Sequence, residues 1–424
     1  MRETLQHLRN RNFALLWAGQ TVSALGDWIL LAALPVWVYQ ITGSGTALGA
    51  MVFFETLPLL IVGPVAGVFV DRWDLRRVMI ATDALRGLTV LLLLLARTPQ
   101  TIFLVFGVGF VESSLSSLFR PAREAALPGL VAEEQLLSAN SLFQSAIFLM
   151  RLVGPAIGGA LVGTVGAGPA FVLDALTFFV SALAITAMRL PPRGEPVEPP
   201  LERAEGDGSV VGVYRELVAG LRVIRDSRVL SSVLAVWSLL MFSAGAIAAL
   251  LVVFVEDALH APGSYYGYLL SIQGLGMLVG AVATASMGDR YRPTNIFRGG
   301  LLIFGPLFLA AANAPSVTWA GGLVFLMGIT MSGIAIADQT IFQQQAPEAF
   351  RGRILAGNDA ATAAATLVGV MLAGVVADQV DIRLIFDGAA MLSILAALVA
   401  VVLLRGSQEQ PDASAVAPLK GEVS

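Results

Sequence analysis

The chain has 424 residues, 56% of them hydrophobic and only 13% charged, with 26 basic and 30 acidic side chains and a formal net charge of −4. A soluble protein of this length needs far more polar surface to cover its core, so the mean hydropathy of +0.79 points to a lipid bilayer. Cysteine is absent, which excludes disulfides, thiol redox chemistry and thiolate metal sites, and two isolated histidines, His7 and His260, cannot build a histidine cluster for a metal.

In chain order, Arg2, Arg9 and Arg11 precede a first apolar run over 13–41. That run is too long for a signal peptide and lacks a small-residue cleavage site, so it reads as a retained first helix. Five further runs follow at 46–70, 78–96, 101–119, 139–163 and 169–189. Each is of the order of 20 residues, the length that crosses about 30 Å of hydrocarbon at 1.5 Å per residue. A polar interval, 190–228, comes next. Its prolines and Gly206–Gly208 form a flexible linker. Val213, Leu217, Leu221 and Ile224 then fall at helical spacing among arginines, the pattern of an amphipathic helix lying on the inner leaflet. Six more runs occupy 229–255, 264–287, 295–313, 318–341, 356–377 and 382–404. The predicted organisation is an N-terminal six-helix bundle (1–189), a cytoplasmic linker (190–228), a C-terminal six-helix bundle (229–404) and a disordered cytoplasmic tail (405–424). The fold class is all-α integral membrane, with twelve transmembrane helices.

Arginines mark one set of loops. Arg72, Arg76, Arg77, Arg120, Arg123, Arg290, Arg292, Arg351 and Arg353 fall on the side shared with both termini, against only Arg97 and Arg383 on the other. Cationic loops stay in the cytoplasm during insertion, so both termini are expected to be cytoplasmic in a bacterial inner membrane.

The turn after the second run reads Gly67-Val-Phe-Val-Asp71-Arg72-Trp-Asp-Leu-Arg76-Arg77, and a weaker copy, Gly288-Asp289-Arg290-Tyr-Arg292, follows 218 residues later. The same shift places Asn140 on Asn358. Duplicated halves are how many secondary transporters are built, with substrate bound between them near mid-membrane.

On these residues the chain resembles the major facilitator superfamily, whose Gly-x-x-x-Asp-Arg-x-x-x-Arg-Arg signature is met by Gly67, Asp71, Arg72, Arg76 and Arg77. Within it, Arg11-Asn12-Phe13, Ser23-Ala24-Leu25-Gly26-Asp27, Pro121-Ala122-Arg123-Glu124 and Phe350-Arg351-Gly352-Arg353 look like the enterobactin-exporter and macrolide-efflux branch. The resemblance implies two pseudo-symmetric bundles and proton-coupled export of drugs or siderophores. It also implies a conformational latch at Gly67, Asp71, Arg72, Arg76 and Arg77, with Asp289 and Arg290 as its weaker copy. Gly154, Pro155, Gly158 and Gly159 partly match the antiporter motif of the fifth span, although Met150 stands where its upstream glycine is usual. The fourth span departs from the drug–proton antiporters: it carries Glu112 and no arginine before Arg120.

Asp27 lies about 21 Å along the first span and therefore near mid-membrane. A carboxylate there is costly unless it is protonated, paired or in a wet cavity, which suits a proton-coupling group. Glu112 in the fourth span reaches a similar depth, as does Arg151 in the fifth. Either the two form an ion pair, with Arg151 a clamp or anion contact, or Glu112 is a second proton carrier. Glu55 is a candidate contact for a cationic substrate. Asp83 and Arg86, one helical turn apart, are expected to pair near the cytoplasmic end and dock against the latch loop. Asp174 reads as an outer-surface residue, and Asp338 and Asp359 as helix-end groups.

The second half offers neutral groups at depth, Gln273 among them, with Trp237 and Met241 fitting an adaptable apolar substrate wall. No Gly-x-x-x-x-Gly-Lys-Ser/Thr loop occurs and the sole lysine is Lys420, so neither ATP hydrolysis by this chain nor an ATPase subunit is implied. No nucleophile–base constellation suggests an enzyme, and no basic groove suggests nucleic acid. The expected function is a monomeric, proton-driven exporter of hydrophobic or amphipathic small molecules, with the proton gradient as energy source and no cofactor. The alternatives are an importer or lysophospholipid translocator on the same fold, or a receptor-like membrane protein without flux.

Overall fold

The computed structural model describes residues 10–70, 72–132, 135–189, 210–287, 290–345 and 351–404. Regular structure among them is helical throughout. The first half contains α1 (Arg11–Thr42), α2 (Gly45–Ile61), α3 (Gly63–Val70), α4 (Leu75–Leu91), α5 (Phe103–Ala126), α6 (Leu136–Val165) and α7 (Gly168–Thr186). A linker helix, α8 (Val210–Asp226), leads into α9 (Arg228–Val253), α10 (Tyr265–Met287), α11 (Pro293–Ala312), α12 (Val317–Gln345), α13 (Arg351–Val376) and α14 (Ile382–Leu403). Eleven of these stretches are long and apolar enough to cross a membrane, and the shorter apolar α2 accompanies them.

The second predicted span is divided. Pro58 lies inside α2, the helix lapses at Val62, and it resumes as α3 with Pro64 in its first turn. A proline there lacks the N–H that would continue the ladder across the break. Elsewhere the boundaries agree with the apolar runs, and local caps set them. Asn10 accepts from the N–H of Asn12 and Phe13 to start α1, and Asp74 accepts from Arg77 N–H to start α4.

Within the first half, α1 packs on α6 and α7, and α4 lies between α5 and α7. The second half repeats this with α9 against α13 and α14, and α11 between α12 and α14. Between halves, α2 packs on α13 and α6 on α10. Small residues permit these approaches. A Cβ at Gly26 would collide with Thr177 and Asp174 of α7, and one at Gly276 or Gly280 with the backbone of α12.

Of the apolar linker-helix residues whose side chains are described, Ile224 is buried in the main core and Leu221 packs against Gly357 of α13.

One end of the molecule carries Arg72, Arg76, Arg77, Arg120, Arg123 and Arg290, and the other carries Arg97 and Arg383. Among the described residues, every side-chain hydrogen bond between halves lies at the arginine-poor end. There, Tyr39 Oη donates to Asp257 Oδ2 at 2.7 Å and Thr46 Oγ1 to the Gly374 carbonyl at 2.7 Å.

Candidate functional site

The polar centre of the first half is built around Arg86. This residue lies about midway along the continuous helical stretch Leu75–Leu95, and its guanidinium reaches three other elements. Nη2 meets Asp27 Oδ1 of α1 at 3.0 Å, Nε meets Glu112 Oε1 of α5 at 2.8 Å, and Nη1 lies 3.8 Å from Asp83 Oδ1 one turn back on α4. The guanidinium also stacks 4.0 Å from the ring centre of Phe178 on α7. Arg86 and Asp83 side chains are 6% and 0% exposed, whereas Asp27 is 41% exposed. A half-exposed carboxylate so deep in a helix faces a cavity rather than lipid.

That cavity is a cleft of about 190 Å³ whose lining includes Gln20, Ser23, Asp27, Arg86, Arg120 and Arg123. It joins Asp27 to the arginine-rich end. Arg120 and Arg123 at its mouth pair with Glu124 at 3.2 and 3.6 Å, so their charges are partly spent locally.

The pairing of Glu112 with Arg151 does not form. Glu112 is held by Arg86, and Arg151 instead lies over the Trp28 ring, 5.3 Å from its centre. Sequence reasoning also set Arg86 too near the helix end. The helix begins three residues before the apolar run, and a long arginine side chain reaches well beyond its own Cα. Asp83 and Arg86 do pair, but the pair faces the centre of the bundle instead of the latch loop.

Asp174 is a second correction, since it is completely buried. The reason is a matched pair of faces. Gly19 and Gly26, seven apart on α1, receive Ser181, Thr177 and Asp174 of α7, so the polar stripe of α7 turns inward. That stripe was legible as helical spacing; its direction was not.

Of the remaining candidates, Glu55 lies against Gly109 of α5, one turn from Glu112 and on the same face. Trp237 and Met241 are half-buried against the main core. Gln273 is half-buried on α10, where its carbonyl approaches Gly328 and the next residue, Gly274, faces the Arg151 backbone. Gly154 and Gly158 accept the α1 backbone around Trp28 and Ile29, and Gly159 meets Ser264, just before α10, and Gly267 of α10 across the halves. The motif from Gly154 to Gly159 therefore joins α6 to α1 and to the opposite half.

The latch candidates divide. Arg76 donates to the Ile185 carbonyl at 3.2 Å and to that of Thr186, satisfying the free end of α7 within its own half. Arg72, Arg77 and Arg290 are exposed. Asp71 and Asp289 lie outside the described residues, and the side-chain surroundings of Gly67 are likewise not described.

Sequence reasoning passed over three further residues. The sequence pairs Arg86 only with its neighbour Asp83 and carries no signal for Asp378. Arg383 was read only as a topology marker. Its guanidinium donates to the carbonyls of Ala258 at 2.8 Å and Ala312 at 3.0 Å, stapling helix ends together.

Two six-helix halves around a polar centre, with the duplicated charged turn, define a transporter of the major facilitator superfamily. A family model described as transmembrane secretion effector matches residues 2–422, and the chain belongs to that family. It is 29% identical to the multidrug efflux pump Tap of Mycolicibacterium fortuitum over 92% of this chain and 95% of that protein. Macrolide efflux protein A of Streptococcus pyogenes is 24% identical, covering 88% of this chain and 90% of its own length. Among solved structures, a bacterial homologue of the iron transporter ferroportin in its inward-facing state aligns with a TM-score of 0.73 at 16% identity, over 94% of this chain and 99% of its own. The nucleoside transporter NupG aligns with a TM-score of 0.76 at 11% identity, over 92% and 99%.

Proposed function

We propose that the chain is a proton-coupled exporter of hydrophobic or amphipathic small molecules in a bacterial inner membrane. Both termini are cytoplasmic in this reading, so the arginine-rich end faces the cytoplasm and the helices as arranged represent a state open to that side. The observation that carries the reading is the sharing of Arg86 by Asp27, Glu112 and Asp83. One positive charge cannot balance three carboxylates in a membrane interior, so the excess must be met by protons or by a cationic substrate. Asp27 is the member open to the cavity and is the group that loads and releases the proton. Glu112 follows through the shared guanidinium, because neutralising one carboxylate changes the hold of Arg86 on the others.

In this reading substrate binds between the halves, with Glu55 and Arg151 offering charge and Trp237, Met241 and Gln273 offering apolar and neutral polar contacts. The relatives named as efflux proteins favour outward transport. The loop from Asp71 to Arg77, with Asp289 and Arg290, closes the cytoplasmic end in the opposite state. No cofactor, nucleic acid or ATPase subunit takes part, and a monomer suffices.

Purified protein in proteoliposomes with an imposed pH gradient tests the reading. Wild type is expected to accumulate a fluorescent amphipathic cation, and Asp27→Asn to lose gradient-driven accumulation by at least tenfold while remaining monodisperse. Undiminished accumulation by Asp27→Asn sinks the assignment of the proton carrier.

A further inference from the structure

Helix α2 begins with backbone donors that its own chain does not fully satisfy. The first N–H groups of any helix lack intrahelical acceptors. Here the N-cap Ser44 serves only one of them, Ala47 N–H at 3.2 Å. The two before it, Gly45 and Thr46, are met from the other half of the molecule. Asp378 Oδ1 accepts from Gly45 N–H at 2.6 Å, and Oδ2 accepts from Ser44 Oγ at 2.7 Å and from Thr46 N–H at 3.4 Å.

The exchange is reciprocal. The Gly374 carbonyl lies in the last turn of α13, where acceptors are also left over, and it receives Thr46 Oγ1 at 2.7 Å. Small residues bring the two helix ends together: Gly45 lies against Ala377, and Gly49 against Gly374.

The position of Asp378 makes little sense within its own half. It follows the C-terminus of α13 by two residues, where the helix dipole is negative and disfavours a carboxylate. The N-terminus of α2 carries the opposite sign and favours it. Only the contact between halves turns an ill-placed charge into a well-placed one.

We propose that Asp378 is a clasp for one state of the transport cycle, capping α2 across the interface and holding the arginine-poor end shut. When that end opens, Gly45 and Thr46 lose their acceptor and Asp378 is left beside the negative end of α13. The site is exposed to water, which replaces the lost hydrogen bonds in part. The clasp therefore biases the equilibrium without locking it, as a gate that opens every cycle requires. Charge-assisted hydrogen bonds at an exposed site support a bias of about tenfold. The inference rests on the alternating-access reading above, but its test does not require transport.

The chain contains no cysteine, so introduced pairs report without background. Spin labels at Gln100→Cys and Leu384→Cys straddle the arginine-poor end, and labels at Leu137→Cys and Gln343→Cys straddle the other. Asp378→Ala is expected to raise the ratio of open to closed distances at the first pair about tenfold and to shorten those at the second. Asp378→Asn, which puts an amide donor against existing donors, is expected to shift them the same way. Ser44→Ala should give a smaller shift that adds nothing to Asp378→Ala. An unchanged distribution in Asp378→Ala and Asp378→Asn overturns the clasp, as does full additivity with Ser44→Ala. A protein whose distances respond but which moves no substrate in liposomes contradicts the transport reading and leaves the clasp standing.

Discussion

A single guanidinium organises the first half. Arg86 is 6% exposed and touches α1, α5 and α7 as well as its neighbour Asp83, which is fully buried. Removing one partner of a buried ion pair leaves the other uncompensated, at a cost of about 3–5 kcal/mol. Arg86→Ala is therefore expected to lower the thermal unfolding midpoint in detergent strongly, and adding Asp83→Asn to recover part of the loss. A midpoint within a degree of wild type would mean that Arg86 is not the structural hub. Arg86→Lys separates structure from coupling. An ammonium group retains the charge but not the planar fork that spans several carboxylates, so the variant should fold and lose gradient-driven transport.

At the scale of helices, glycine decides which surfaces can meet. Gly159 of α6 and Gly267 of α10 place their backbones in mutual contact across the halves, with a Cβ at Gly267 falling 3.0 Å from the Gly159 Cα. Gly267→Val is expected to leave each half folded and to prevent closure of the arginine-poor end, read as loss of the short distance between labels there. Retention of that distance would show that the helices close without this contact. The clasp at α2 adds a pH expectation. Burial would raise the Asp378 carboxyl, but hydrogen bonds from the Ser44 hydroxyl and from the N–H groups of Gly45 and Thr46 hold it below its ordinary 3.8. The charged form thus favours the sealed state at any pH above that ordinary value, and the contribution fades as pH falls through the lower sealed-state value. Outside pH between about 5 and 8 should leave the seal unchanged, with opening only below about 4. Opening near pH 6 in the same distance measurement would assign the gate to another titratable group at that end.

For the whole molecule, the halves are joined by apolar and small-residue contacts along α2–α13 and α6–α10, and among the described residues their side-chain hydrogen bonds lie at one end. Such an interface lets the halves rock, because among the described residues the polar bonds to be broken are those of the clasp and that of Tyr39 with Asp257. Transport direction follows from orientation. Everted vesicles energised acid-inside are expected to accumulate an amphipathic cation, and the accumulation should collapse when an ionophore dissipates the proton gradient. Accumulation by right-side-out vesicles instead would reverse the assignment from export to import. The number of helices, the duplication and the uneven arginines were all legible in sequence, because each depends on local composition and length. Asp27 and Glu112 were legible as charges at depth for the same reason. The partner of Glu112 was not, because three helices of similar length bring several charges to one depth, and helix rotation selects among them.

The sequence by itself determined that this chain is a twelve-helix membrane protein with carboxylates in the core of its first half. A hydrocarbon layer leaves so few options to a chain of apolar runs that composition and spacing suffice. Only the tertiary structure decided that Arg86, rather than Arg151, gathers those carboxylates, that Asp174 turns inward, and that Asp378 caps a helix of the opposite half. Each of these depends on which face of one helix meets which face of another, and residues 26 places apart or 333 apart in the chain become neighbours only through that packing.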